Sequence, residues 1–261
     1  MRVLAIGDVF ARPGRDCLGE QLPRLKRLYK PDVVIANAEN AAHGYGVTRK
    51  ITEELFSMGV DVLTGGNHSF DNAEYYDFAD QDHRILRPAN YPENTPGFGW
   101  TLVPVGSRGN QIAMINLIGR VFSHQNFDCP FRKIDEILKQ IPKEVTSIFV
   151  DFHAEATSEK QAMGWYLDGR VSLIWGTHTH VATADERILP NGTAYISDIG
   201  MTGVEDSILG MRKDYSLERF LTSRPLRLEP AEGQATLHGI ITDINITTGK
   251  AIKIQRIIAP E

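Results

Sequence analysis

Short apolar runs that alternate with amphipathic segments place the strongest constraint on the fold of this chain. In the first quarter, apolar runs occupy residues 2–8, 31–40 and 61–68, and amphipathic segments lie between them at 14–30 and 48–59. A strand–helix–strand–helix–strand order predicts parallel strands joined by right-handed crossovers, with helices against the faces of the sheet. We therefore expect an α/β architecture with a parallel core.

Three turn signals predict antiparallel hairpins in the rest of the chain. Apolar segments 97–106 and 110–119 flank a Ser-Arg-Gly turn, and Asn191-Gly192 and Thr248-Gly249 each separate two further apolar segments. Asn-Gly is a strong signal because tight hairpin turns require positive φ. Other runs are predicted as strands at 146–154 and 170–180, and as helices at 131–141 and 157–167.

The predicted strands and helices mix along the chain without a linker, a repeat or a low-complexity segment. We therefore predict a single domain, residues 1–261, with two packed sheets and outer helices. Residues 200–233 depart from this pattern because they are rich in Gly, Arg and Pro and have weak periodicity. We predict a long loop excursion there, and long loops in compact domains are often functional. The sequence leaves open whether this segment is a lid or an oligomer contact.

The composition limits the partners of the chain. The formal net charge is −5, which gives no global attraction to nucleic-acid polymers or to an anionic membrane. No apolar stretch approaches the ~20 residues of a membrane span, and Asp8 ends the N-terminal apolar run too early for a signal peptide. Cys17 and Cys129 lack metal-ligand spacing and fit reduced thiols. We expect a cytoplasmic protein, and a homo-oligomer is left open.

Polar side chains follow the apolar runs at the points where the predicted strands end. Ligands of open α/β sheets bind outside the carboxyl ends of the strands, so groups at these ends are expected to converge. Five strand ends carry carboxylates, carboxamides and imidazoles: Asp8, Glu39, Asn40, Asn67, His68, His153, His178 and His180. Any one alone has a plain structural explanation, such as a helix cap for Asp8 or a turn for Asn67. Their joint occurrence favours one binding site.

The chemistry of these groups indicates metal binding. Carboxylate, carboxamide and imidazole ligands without a thiolate suit Fe, Mn or Zn, and they are too numerous for one tetrahedral ion. Two metal ions about 3.5–4 Å apart, bridged by one carboxylate, would use them all. Two divalent ions outweigh two carboxylates, so such a site would attract phosphate although the chain as a whole is acidic. His178 and His180 can then each face a different ion.

Four short motifs contain most of the predicted ligands: Gly7-Asp8, GGNHSFDN at 65–72, a single histidine at His153, and GTHTH at 176–180. Together they resemble the motifs of the calcineurin-like metallophosphoesterases. Longer segments, MRVLAIGDVFARPGR at 1–15, ANAENAAHG at 36–44, DFHAEATSEK at 151–160 and SDIGMTG at 197–203, most closely resemble the bacterial YmdB-like branch of that family. The resemblance implies a four-layer αββα sandwich of two mixed β-sheets flanked by helices. It also implies a metal-dependent phosphodiesterase, with 2′,3′-cyclic nucleotides as the substrate class.

One departure from the wider family bears on the metal ligands. The wider pattern begins Asp-x-His, whereas this chain has Asp8-Val9-Phe10, and Glu39 stands where the wider family has its bridging Asp. The resemblance to the branch implies two ions that share Glu39. The ligands of the first ion would be Asp8, Glu39, Asn40 and His180, and those of the second Glu39, Asn67, His153 and His178. The oxygen-rich set favours Fe or Mn, with Zn left open.

The resemblance also implies a catalytic role for His68. A hydroxide held between the metal ions would attack phosphorus, and His68 would donate a proton to the leaving oxygen as general acid. The alternative is that His68 only orients the neighbouring ligand, Asn67. Asp151 lies on the same side of its strand as His153, and we expect it to support that ligand, because histidine ligands usually need an acceptor for their second N–H.

The residues that bind the rest of the substrate are less well marked. Arg12, Arg15 and His43 follow two ligand-bearing strand ends and are candidates for contacts to phosphate or sugar. Solvated surface charge is the alternative for all three. Two other functions stay open, a phosphomonoesterase or nucleotidase on the same metals and a metal- and nucleotide-binding regulatory protein with weak turnover. No GxSxG motif is present to support a serine hydrolase.

Overall fold

The structure is a computed structural model that describes residues 1–106 and 110–260. The strands are β1 (Arg2–Ile6), β2 (Asp8–Val9), β3 (Val33–Asn37), β4 (Val62–Thr64), β5 (Trp100–Val105), β6 (Asn110–Ile118), β7 (Ser147–His153), β8 (Leu173–Thr177), β9 (Arg187–Ile188), β10 (Ala194–Ile196), β11 (Met201–Val204), β12 (Ala235–Ile244) and β13 (Ala251–Pro260). The helices are α1 (Ala11–Tyr29), α2 (Arg49–Ser57), α3 (Tyr75–Phe78), α4 (Pro130–Leu138), α5 (Thr157–Leu167) and α6 (Lys213–Thr222). Among the described residues, none of the helices combines the length and the apolar composition of a membrane span.

The first sheet contains the parallel unit predicted from the N-terminal apolar runs. Its order is β2-β11-β12-β1-β3-β4, and β13 pairs with β12. β1, β3 and β4 are mutually parallel, with Leu4 opposite Val34 and Ile35 opposite Val62. β12 runs antiparallel to β1, β11 and β13. The sheet is therefore mixed, and the predicted β-α-β-α-β order is confirmed within it.

The second sheet has the order β5-β6-β7-β8-β10-β9. β6, β7, β8 and β10 are parallel, and β5 and β9 are antiparallel to their neighbours at the two edges. The predicted hairpin of β5 and β6 is confirmed, although its Ser-Arg-Gly turn, residues 107–109, lies outside the described residues. The hairpins about Asn191-Gly192 and Thr248-Gly249 are confirmed as β9–β10 and β12–β13.

Among the described residues, three large hydrophobic cores lie between the four layers of the fold. Val3 of β1 packs with Trp175 of β8 in the core between the two sheets. Leu22 of α1 lies in the core on the outer face of the first sheet. Ile134 of α4 and Met163 of α5 lie in the core on the outer face of the second. The expected αββα sandwich is thereby confirmed.

Strand β1 shows why a continuous apolar run predicts a central strand of such a sandwich. Its side chains alternate between the two faces of the sheet. Val3 and Ala5 contribute to the core between the sheets, whereas Leu4 and Ile6 contribute to the core beneath the helices. Both faces are buried, so neither needs polar residues.

Residues 200–233 are more ordered than the predicted loop excursion. They contain β11, which pairs with β2 and β12, and the ten-residue helix α6. The periodicity of the segment is weak because α6 does not pack an apolar face against the domain. Its large apolar side chains Leu217, Phe220 and Leu221 are exposed, and only Ser216 is buried.

Hydrogen bonds cross between the two sheets where their parallel strands end. The buried carboxylate of Asp151 in β7 accepts hydrogen bonds from Thr64 of β4 and from Asn37 of β3. The backbone N–H of Gly65 donates to the side-chain oxygen of Asn116 in β6, at 2.9 Å. These contacts fix the carboxyl ends of the strands of the two sheets against each other. The predicted ligands lie at or directly after these strand ends.

Two glycines of α1 give a test of how tightly this edge is packed. A Cβ at Gly14 would lie 2.2 Å from the backbone oxygen of Thr202 in β11, whereas a Cβ at Gly19 would meet only the flexible end of Met58 at 3.2 Å. Alanine gains about 1 kcal/mol of helix propensity at either position. We expect Gly19→Ala to keep or raise the melting temperature, and Gly14→Ala to lose about 1–3 kcal/mol through overpacking. Equal melting temperatures for the two variants would contradict this packing.

Candidate metal centre

His153, the last residue of β7, lies at the centre of the convergent polar groups. Its Nε2 is 2.9 Å from Asn67 Oδ1, 3.0 Å from His178 Nδ1 and 3.1 Å from Glu39 Oε1. The ligand atoms of Glu39, His153 and His178 all lie within 4.8 Å of one another. The structure thus brings together all four groups of the second predicted ligand set. Oxygen and nitrogen lone pairs directed at one small volume fit a bound cation.

The remaining predicted ligands lie beside this group. His180 Nε2 is 3.2 Å from Asn40 Oδ1 and 3.9 Å from Asp8 Oδ1. Asp8 is fully buried, and its Oδ1 has no hydrogen-bond partner among the described residues. A buried carboxylate oxygen without a partner is costly, and a metal ion at this oxygen would remove the cost. The first predicted ligand set therefore also fits a cation.

Burial and mutual charge perturb the titration of these groups strongly. Burial raises the pKa of Asp8 well above its ordinary value. Burial opposes ionisation of Glu39 as well, but the nearby His153 outweighs it and lowers the pKa of Glu39 to about 2. Burial also opposes the charging of His153, yet Glu39 and Asp8 raise the pKa of that imidazole to about 9. These carboxylates therefore favour a positive charge beside them, and the proton on His153 supplies part of that charge when no cation is bound.

His178 shows the opposite behaviour to its neighbour. Burial and the positive charge of His153 lower the pKa of His178 to about 3. Burial lowers the pKa of His180 too. Both imidazoles are thus neutral near pH 7, which is the protonation state that a metal ligand requires.

Thr177 connects His153 to the buried carboxylate of Asp151. The hydroxyl of Thr177 donates to Asp151 Oδ1 at 2.7 Å, so its oxygen is left to accept from His153 Nδ1 at 3.0 Å. This chain fixes the proton of His153 on Nδ1 and turns Nε2 towards Glu39 and Asn67. Asp151 therefore supports His153, as predicted, but it acts through the hydroxyl of Thr177 rather than by direct contact.

A strained turn presents His178 and His180. Their φ angles are +100° and +63°, both in the left-handed region that favours glycine. Between them, the Thr179 backbone N–H and hydroxyl both donate to Asp198, at 3.2 and 2.8 Å. Asp198 in turn forms a buried ion pair with Lys160 of α5 at 2.6 Å. This pair holds the turn in a conformation that it would not adopt by itself.

His68 directs its ring into the space beside these groups. Its backbone N–H donates to Glu39 Oε2 at 2.9 Å, and its Nδ1 is 2.6 Å from Asp71 Oδ2. The ring meets that of Tyr45 edge to face, with centroids 5.2 Å apart. Nε2 has no hydrogen-bond partner among the described residues, so it is available to a bound molecule.

Two cavities open onto the site and share His178 and Glu155 in their walls. The smaller, of about 270 Å³, lies beside Asn67 and His153 and is bounded by residues 118–125. The larger, of about 550 Å³, lies beside Glu39, Asn40, His68 and His180 and extends to α6. Glu155 also contacts His178 directly, with Oε2 3.0 Å from Nε2.

The predicted substrate-binding residues do not line either cavity. Arg12 is exposed and pairs with Asp16 on α1, and the half-buried Arg15 pairs with Glu54. His43 is exposed at a left-handed position. Their role in substrate binding stays a prediction that these contacts do not support.

The larger cavity contains side chains that the sequence did not single out. Tyr45, Arg219 and Phe220 all line it. Arg219 has no carboxylate within 4 Å among the described residues. Helix α6 was not predicted, so no sequence signal could have placed Arg219 or Phe220 at the site. Tyr45, by contrast, lies one residue beyond the ANAENAAHG motif.

Comparison with known proteins gives concordant results. A family model described as YmdB-like protein matches residues 4–257. A Bacillus subtilis (strain 168) protein named 2′,3′-cyclic-nucleotide 2′-phosphodiesterase is 53% identical over 258 residues, which are 99% of this chain and 97% of that protein. A crystal structure of a hypothetical protein from Thermus thermophilus superposes with a TM-score of 0.93 at 41% identity, over the whole of both chains.

A more distant structure shares the fold alone. The calcineurin-like phosphoesterase YfkN from Bacillus subtilis superposes with a TM-score of 0.57 at 10% identity, covering 100% of this chain and 90% of that one. The two-sheet sandwich of this chain is thus the calcineurin-like phosphoesterase fold, as the sequence motifs implied.

Gly66 provides a test of the metal centre that substitutes none of the predicted ligand residues. A Cβ at this position would lie 2.3 Å from Glu39 Oε2 and 2.4 Å from His153 Nε2. Gly66→Ala must therefore displace both groups, and we expect Mn²⁺ affinity to fall at least tenfold. Isothermal titration of chelator-treated protein measures this, with Gly19→Ala as the matched control. Unchanged affinity in Gly66→Ala would show that neither group binds the ion.

The buried Lys160–Asp198 pair gives a second test. Lys160→Met leaves Asp198 buried and unpaired, which costs about 3–5 kcal/mol. We expect urea unfolding to show this loss, and the double variant Lys160→Met/Asp198→Asn to recover part of it because no buried charge remains. If the single and double variants are equally unstable, the charge of Asp198 is not what Lys160 compensates.

Proposed function

The chain belongs to the YmdB-like family, and on this basis we propose that it is a phosphodiesterase that hydrolyses 2′,3′-cyclic nucleotides at a centre of two metal ions. The observation that carries the proposal is the convergence of ligand groups on Glu39 and His153 at the base of two open cavities. The name of the Bacillus subtilis relative, which is 53% identical along nearly the whole chain, supports the reaction and the substrate class.

The chain offers two ligand sets that share Glu39. One ion would be held by Asp8, Glu39, Asn40 and His180, and the other by Glu39, Asn67, His153 and His178. Oxygen and imidazole nitrogen in these proportions suit Fe, Mn or Zn. When bound, two such ions supply Lewis-acid chemistry, which lowers the pKa of water towards neutrality and neutralises phosphoryl oxygens.

The residues around the ligands prepare them for this role. Asp151 and Thr177 fix the proton of His153 on Nδ1, which leaves the Nε2 lone pair for the centre. Asp198 and Lys160 hold the turn that presents His178 and His180. The contacts of Thr177 with Asp151 and His153 and the Lys160–Asp198 pair are buried, which supports ligands held in fixed positions.

The position of His68 supports a role in proton transfer. Asp71 accepts from Nδ1–H, which orients the ring and leaves Nε2 towards the larger cavity. In hydrolysis of the 2′,3′-cyclic phosphate, an oxygen from water forms a new bond to phosphorus, one P–O bond to the ribose breaks, and the leaving ribose oxygen must gain a proton. We assign that donation to Nε2–H of His68, with release of a nucleoside monophosphate.

Parallel assays of one metal-loaded preparation test the proposal. Metal analysis should give close to two ions per chain. The protein should hydrolyse 2′,3′-cyclic AMP and bis(4-nitrophenyl) phosphate much faster than adenosine 3′-monophosphate. Preference for the monoester would instead identify a phosphomonoesterase, and binding of 2′,3′-cyclic AMP without turnover would identify a regulatory binding protein.

The leaving group distinguishes general acid catalysis from ligand orientation at His68. A ribose alkoxide needs a proton in order to leave, whereas 4-nitrophenolate does not. We expect His68→Ala to lower kcat on 2′,3′-cyclic AMP by about 10²-fold or more, and on bis(4-nitrophenyl) phosphate by much less. His83→Ala is the matched control, because His83 stacks on Phe98 away from the site. Equal losses on both substrates would exclude the general acid role.

A further inference from the structure

We propose that the larger cavity is the nucleobase subsite, and that Phe220 of α6 is a specificity-determining residue on which the base stacks. The proposal rests on the proposed function, because it assumes that the phosphate of a cyclic nucleotide lies at the metal centre. It assigns a role to the segment 200–233, whose composition set it apart in the sequence.

The cavity has an apolar floor next to the centre. Phe10 and Met211 are buried there in one small core, and the partly buried Leu228 packs against it. The Phe10 ring also meets the His180 ring edge to face, with centroids 5.4 Å apart. The apolar surface therefore begins directly beside a predicted metal ligand. A group joined to the bound phosphate through a ribose would reach it.

The backbone at Gly44 keeps this floor accessible. Its φ is +89°, and a Cβ there would lie 2.9 Å from Phe10 Cζ and 3.2 Å from Met211 Cε. A side chain at this position would therefore press on the floor and on the space above it. The turn that contains Gly44 also carries Tyr45, a residue that is 41% exposed and whose ring contacts His68.

Helix α6 supplies an aromatic wall to the same cavity. Phe220 lines the cavity and is 77% exposed. Covering an exposed aromatic ring with a flat apolar partner removes apolar surface from water, and the free energy of that change is favourable. Nucleobases are such partners, and stacking on aromatic side chains tolerates every base. An apolar floor with Tyr45 and Phe220 beside it thus matches the shape and chemistry of a base.

The smaller cavity is less suited to a base. Its lining includes the exposed Phe122, but the neighbouring side chains Ser123, His124 and Gln125 are polar. The buried Ile118 and Ala154 also line it, but its volume of about 270 Å³ is about half that of the larger cavity, about 550 Å³. Phe122 is nevertheless the rival stacking residue, and the experiment includes it.

The experiment compares a substrate that has a base with one that has none. We expect Phe220→Ala to raise KM for 2′,3′-cyclic AMP about tenfold while kcat changes little. Its kcat/KM on glycerol 1,2-cyclic phosphate should stay within about twofold of the wild-type value. Phe220→Trp should restore KM. Equilibrium binding of adenosine 3′-monophosphate should weaken in Phe220→Ala by a similar factor.

Leu221→Ala is the matched control. Leu221 is the next residue of α6, is 83% exposed and does not line the cavity. Leu221→Ala should therefore leave KM and kcat unchanged for both substrates. If Phe220→Ala lowers kcat/KM equally for both substrates, or leaves kcat/KM unchanged for both, the subsite assignment is wrong. The proposed function would still stand. A selective effect of Phe122→Ala would move the subsite to the smaller cavity. Failure of the wild-type protein to hydrolyse either cyclic phosphate would overturn the proposed function as well.

Discussion

The close approach of the Glu39 carboxylate to the His153 imidazole, 3.1 Å apart and both buried, is the interaction on which the rest of the site depends. Both groups are shielded from water, so a charge on either one is costly unless an opposite charge lies close to it. Without a cation, a proton on His153 provides that charge, as its pKa of about 9 indicates. In the proposed function, the same groups would bind the cations. Asp151, Thr177, Asp198 and Lys160 hold the residues of the site in these positions.

The two-sheet architecture makes that approach feasible. Glu39 follows a strand of the first sheet, and His153 ends a strand of the second, so neither sheet alone could bring them together. The core between the sheets sets their separation, and Asp151 ties them at the carboxyl ends through Thr64 and Asn37. Asp8 and His153 lie on strands, and the other predicted ligands lie in turns that follow strand ends, so the packed strands fix where those turns begin.

Much of this could be predicted because the strands are buried on both faces. Runs such as 2–6 carry a continuous apolar signal, and the polar residue that ends each run is conspicuous. Helix α6 could not be predicted, since it leaves Phe220 exposed and buries almost no apolar face. The contact between Thr177 and Asp151 could not be predicted from the sequence either. It depends on the register of two neighbouring strands, which a single sequence does not specify.

In the proposed function, two cations share the Glu39 carboxylate. Anomalous diffraction from a crystal of the Mn²⁺-loaded protein would show whether they do. We expect two anomalous peaks about 3.5–4 Å apart, both within coordination distance of Glu39, one next to His180 and the other next to His153. A single peak, or peaks that leave Glu39 uncoordinated, would contradict it.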